Sequence, residues 1–378
     1  MVSLRPDFGY SRTVNYVNRN HLSVITQRWG SVNRKVIPFC AANVVLTIFL
    51  VWLLNHGIDL TISEFGHEFM SILVAFLVIN KLSFTLGLYY ELQGYLSKMN
   101  QASVELTQLA CSFTKGYQAQ EFKDWRLEVS RQVLILLKVS VSVIHQGGDN
   151  RAWDIPELQH NPPILVLDHD ESPVMSVGDV ATRRYRSDTP NEIYEFGYNL
   201  QSDKNLRVPI RIAQRLRDLL TDRKHFPLDP LDTIQERYLL DSVKEFMDAY
   251  YGVRKYLTCP LPLPLVQLGR IFVMFYVFTL PFALLSKELN LAYPQMTVLI
   301  CLTTYGFMGM ELLFVELDDP FSEDPNDLPL TEEARAAGED IVLNLLHADG
   351  RAAVDSLRKS FCFGKHRDGE PNETDRLV

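Results

Sequence analysis

Residues 36–54 read VIPFCAANVVLTIFLVWLL, nineteen positions without a charge. A stretch like this leaves few folds open. A helix needs about 20 apolar residues to cross a bilayer, and a helix on the surface of a soluble protein keeps one polar face. Three further stretches are similar. Residues 69–90 carry one charge, Lys81; residues 263–285 carry one, Arg270; residues 289–310 carry none in 22 positions. The expected fold is therefore an all-α membrane protein with four transmembrane helices.

The intervening segments set the orientation. Residues 55–68 hold no Lys or Arg but three acids, Asp59, Glu64 and Glu68. Residues 98–258 hold 21 Lys and Arg, and Arg28, Arg34 and Lys35 precede the first span. Positive loops stay inside, so both termini and the long middle are expected on the cytoplasmic or stromal side of a multi-pass protein. Whether the membrane is a plasma membrane or a plastid or thylakoid membrane stays open. A net charge of −9 argues against a nucleic-acid partner. Five dispersed cysteines without a CxxC suggest neither a disulfide framework nor a zinc site.

These signals divide the chain. Residues 1–35 are an N-terminal segment and amphipathic entry, and 36–95 hold transmembrane helices 1 and 2. Residues 96–258 read as a cytosolic helical region into which the long helices extend. It contains an inserted loop, 147–203, rich in Gly, Pro, Asp and Asn. Residues 259–316 hold helices 3 and 4, 317–360 an acidic segment and a C-terminal helix, and 361–378 a disordered tail.

No enzymatic motif is apparent. His67-Glu68 starts like a zinc-protease helix, but Ser71 stands where the second His is required. No P-loop, GxGxxG or GxSxG occurs. Transport, sensing or scaffolding are left.

Two features carry further information. Phe69, Leu73, Leu77 and Lys81 recur every four residues and so share a helix face about 18 Å long. Such a stripe is either a hydrophobic constriction opening onto a charged vestibule, or packing surface with a snorkelling lysine. The second feature is DDPFSEDPNDLPL, residues 318–330, with five carboxylates and three prolines. It lacks the spacing and loop glycine of an EF-hand. A metal site and a turn both remain open for it.

Several stretches resemble the bestrophin family. They are LSVITQRWGSVNRKVI (22–37), KLSFTLGLYYE (81–91), NLRVPIRIAQRLR (205–217), the proline-led CPLPLPLVQLGRIFVMFYVFTLPFALLS (259–286) and ELDDPFSEDPNDLPL (316–330). The last is similar to bacterial, plant and algal members. The resemblance implies a pentameric anion channel with one axial pore, passing chloride and also bicarbonate through a neck on the second helix. Phe69, Leu73 and Leu77 match the neck, and Lys81 the vestibule behind it. A register one residue later would substitute Met70, Val74 and Val78. Ile234 matches a second, cytosolic aperture. Glu316, Asp319, Asp324 and Asp327 match a calcium clasp, with a turn as the alternative reading of the same residues. The expected partners are four further copies of the chain, permeant anions and membrane lipids. The competing functional reading is a non-conducting membrane scaffold or sensor that uses the cytosolic helices.

Overall fold

A computed structural model describes residues 21–117, 119–146, 206–221, 231–258, 261–285, 293–321 and 326–360. The predicted inserted loop 147–203 and the predicted tail 361–378 lie outside these residues. The described residues form ten helices: α1 (His21–Thr26), α2 (Asn33–Asn55), α3 (Glu64–Phe113), α4 (Gln120–Gln146), α5 (Val208–Thr221), α6 (Thr233–Thr258), α7 (Leu263–Leu284), α8 (Tyr293–Asp318), α9 (Leu330–Asp349) and α10 (Arg351–Ser360). The chain divides into two compact units, with α3 contributing to both. One unit takes residues 12–91 and 259–328; the other is built around 92–258 and 329–378.

The first unit is apolar and holds α2, the first half of α3, α7 and α8. All four helices are long and apolar enough to cross a membrane. Helix α2 packs on α8 and α7, and α7 packs on α8. Valines dominate the seam: Val36, Val74, Val78, Val273 and Val277 are buried together with Cys40, Tyr276 and Met308. Larger apolar groups point outward, among them Ile48, Phe49 and Trp52 on α2 and Leu268, Ile271 and Phe275 on α7. This distribution is inverted relative to a water-soluble bundle, as expected for helices solvated by lipid or by other subunits.

A proline organises this unit. Pro281 lies inside α7. It has no N–H, so the carbonyl four residues earlier, on Val277, loses its helical donor. Asn43, fully buried on α2, fills the gap: its Nδ2 donates to the Val277 carbonyl at 2.9 Å and to Thr304 Oγ1 on α8 at 2.7 Å. One side chain thus joins three helices at the site of a backbone defect. Nearby, His67 Nε2 lies 3.1 Å from the Tyr276 carbonyl, and its ring stacks on that of Tyr276. A carbonyl can only accept, so this nitrogen carries the proton.

In the second unit α4 is central. It packs against α5, α6, α9 and α10, and the run from Val133 to Leu137 is buried on every side. Arg126, 1% exposed, closes the start of α4. Its Nε donates to Asp349 Oδ2 at 2.7 Å, and it makes a second bond to Asp349 Oδ1. Nη1 donates to the carbonyl and the hydroxyl of Thr114, at 2.9 and 3.0 Å. A planar guanidinium suits this two-sided clamp, which a lysine could not reproduce. Gly252 lets α6 approach α3: a Cβ there would fall 2.6 Å from the ring of Tyr95.

Candidate functional site

Helix α3 has an open face. Phe69, Ile72, Leu73, Phe76, Ile79, Asn80, Ser83, Gly87 and Glu91 are exposed, whereas Val74, Val78 and Thr85 are buried. Helix geometry accounts for the division. Each residue turns roughly 100°, so steps of four drift by about 40° while steps of seven stay nearly in line. The centre of the open face is therefore the series Phe69, Phe76, Asn80, Ser83 and Gly87, with Leu73 close beside it.

The sequence-predicted residues distribute unequally around this face. Phe69 is 70% exposed and Leu73 39%. Leu77, two steps of four from Phe69, has drifted about 80° and is half-buried. The alternative register is occupied by packing: Val74 and Val78 are buried against α2 and α7, with Met70 beside them. Lys81 is turned away from the open face, its side chain only 9% exposed. Its Nζ donates to Glu311 Oε1 of α8 at 2.6 Å and sits 3.6 Å from the centre of the Phe314 ring. Arg270 of α7 reaches the same carboxylate oxygen at 3.3 Å, with its own side chain half exposed. Glu311 is thus a buried acid between two cations, an arrangement that lets all three charges sit in an apolar unit. Lys81 was expected in a vestibule; Glu311, its partner, carried no sequence signal beyond being the only charge in α8 before Glu316.

Along the open face the chemistry changes. Its first three turns carry Phe69, Ile72, Leu73 and Phe76. The next carry Asn80, Ser83, Gly87 and Glu91 along its centre, flanked by the exposed side chains of Ile79, Phe84 and Tyr90. Backbone approach is unrestricted here, since a Cβ at Gly87 would meet nothing within 4 Å.

The acidic stretch is built as a turn in its described part. Leu328 N donates to the Pro320 carbonyl at 3.0 Å. Asn326 Nδ2 donates to the Gly30 carbonyl at 2.9 Å, and Tyr89 Oη donates to the Asn326 carbonyl at 3.4 Å. Gly30 has a positive φ of 72°, the left-handed conformation that glycine tolerates best. Of the four expected calcium ligands, Glu316 is paired with Lys35, Asp319 is exposed and Asp327 is buried. Asp324 lies outside the described residues. Among the described residues no group of three or more His, Cys, Asp or Glu side chains is placed to hold a metal ion. Ile234, the expected second aperture, is 62% exposed at the start of α6, one turn from the similarly exposed Tyr238.

These features define an all-helical integral membrane protein whose third helix presents an unpacked face that turns from apolar to polar. Comparison with known proteins shows what the chain is similar to. A family model described as bacterial/fungal bestrophin protein matches residues 193–342. A crystal structure of a mutated form of a bacterial bestrophin homologue from Klebsiella pneumoniae superposes with a TM-score of 0.59 at 17% identity. It covers 84% of this chain and 100% of that one. A second mutated form of the Klebsiella homologue gives 0.59 at 15% identity, covering 83% and 99%. At such identities the match is one of fold. A voltage-dependent anion channel-forming protein of Synechocystis sp. is 28% identical over 159 residues, covering 40% of this chain and 50% of that protein. The chain thus matches half the length of this curated relative. The bestrophin resemblance read from the sequence is thereby shown, by the family model over residues 193–342 and by the fold over most of the chain.

Proposed function

We propose that the protein is a gated anion channel in which α3 lines a single axial pore of a cyclic homopentamer. The observation that carries this reading is the open face of α3, apolar at Phe69, Leu73 and Phe76, left uncovered by the other described helices of its own unit. Five copies of one helix around an axis form successive rings, because a head-to-tail contact can close cyclically. Rings of Phe69, Leu73 and Phe76, with Leu77 at their margin, make a narrow hydrophobic neck. Such a constriction excludes water when closed and acts as the gate. Anions that shed water easily cross it at lower cost, so chloride and larger monovalent anions are the expected cargo, with bicarbonate a second candidate. The name of the Synechocystis relative supports the same class. The charge of the loops favours a cytoplasmic or stromal side for both termini.

Current through purified protein in planar bilayers tests the proposal. Leu73→Ala widens the second ring and is expected to raise open probability several-fold over native protein. Unchanged current would remove Leu73 from the gate. Absence of anion current from native protein at every voltage and calcium level would favour the scaffold reading instead. Calcium regulation through Glu316, Asp319, Asp324 and Asp327 is a separate proposal, since Glu316 would have to exchange Lys35 for the ion. Calorimetry tests it: equal absence of binding in native protein and in Asp324→Ala with Asp327→Ala removes it.

A further inference from the structure

Asn80 is an exposed carboxamide near the middle of an apolar span. Its neighbour Lys81 solves the problem of polarity at this depth by turning inward to Glu311. Asn80 does not. Among the described residues its side chain makes one hydrogen bond, from Nδ2 to the carbonyl of Phe76 on the preceding turn, at 2.8 Å. Because a carbonyl only accepts, the amide orientation is fixed by chemistry. The second Nδ2 hydrogen and Oδ1 are left facing outward. Against acyl chains these groups would lose water without replacement, an unfavourable place for a polar amide. Ser83, Gly87 and Glu91 continue the same line, so a polar strip runs along α3 between the exposed side chains of Ile79, Phe84 and Tyr90.

We propose that Asn80 is the anion-coordinating position at the polar end of the neck, its free amide hydrogen donating to a partly dehydrated monovalent anion. The inference rests on the reading of α3 as pore-lining and adds to it the residue that selects. A neutral donor suits this place. It replaces part of the hydration shell lost at Phe76, one turn away, without the tight binding that a full positive charge would impose on a conducting ion. The adjacent cation, Lys81, is held by Glu311 and does not take the role. The acidic outer segment, with Asp59, Glu64 and Glu68, makes such a donor the more necessary for anion preference.

The test uses reconstituted full-length protein in bilayers under a potassium chloride gradient, comparing native protein with Asn80→Asp, Asn80→Leu and Asn80→Cys. Asn80→Asp keeps the shape and removes the donor; the anion-to-cation permeability ratio should fall several-fold and the reversal potential move toward that of potassium. Asn80→Leu should lower conductance without changing the sign of selectivity. Asn80→Cys should react with a membrane-impermeant, charged methanethiosulfonate, read by mass independently of current. If native protein conducts anions and Asn80→Asp keeps the native permeability ratio, the inference is overturned while the channel reading stands. A folded, reconstituted Asn80→Cys that stays unlabelled overturns it equally. If native protein passes no anion current, the channel reading itself fails and this inference with it.

Discussion

At the scale of residues, the apolar unit is held by a few polar groups that each answer a specific deficit. Asn43 supplies the donor that Pro281 removes from Val277. Asn43→Leu should therefore cost about 1–3 kcal/mol, the penalty of an unsatisfied buried carbonyl. Adding Pro281→Ala to it should recover part of the loss, because the substituted alanine restores the helical N–H. Thermal unfolding of single and double variants in detergent checks this; no recovery would mean that Asn43 acts through packing alone. Lys81 and Glu311 make a second such pair. Lys81→Met leaves a buried acid with one half-exposed cation and should cost about 3–5 kcal/mol. Lys81→Met with Glu311→Gln should recover most of it in the same assay. Neither pairing could be read from the sequence. Asn43 and Thr304 are 261 positions apart, Lys81 and Glu311 230 apart, and nothing local announces a partner so distant. The sequence did show one residue that needed a partner: Lys81, a lone charge in an apolar run.

At the scale of elements, the sequence was legible where composition alone decides. Uncharged runs of about twenty residues became α2 and α8, and α7 starts behind its prolines. The break between α3 and α4 falls at 114–119, around Gly116 in a stretch that otherwise reads as continuous helix. The open face of α3 was only half legible. Counting in fours from Phe69 finds Leu73 but walks off the face by Leu77, whereas the structure centres it on Phe76 and Asn80. Alanine at each position separates the two. Phe76→Ala should increase channel opening at least as much as Leu73→Ala, and Leu77→Ala should change it less; the reverse order in single-channel records would return the neck to the four-residue stripe. In the acidic stretch the sequence drew notice to the carboxylates, whereas the amide of Asn326, which joins the segment to Gly30, carried no such signal.

At the scale of the whole molecule, a fold shared with bacterial bestrophin homologues carries an α3 face that the other described helices of its unit leave uncovered, the face proposed to line the pore. Large apolar side chains on the outside of the apolar unit and a polar second unit fit a chain that meets both lipid and water. The central claim is that this assembly conducts anions along the α3 face. The reversal potential of purified native protein in a planar bilayer, under a tenfold potassium chloride gradient, tests that claim most directly. The account predicts a current that reverses close to the chloride equilibrium potential. A current reversing at the potassium potential, or no current across the voltage and calcium range, would contradict it.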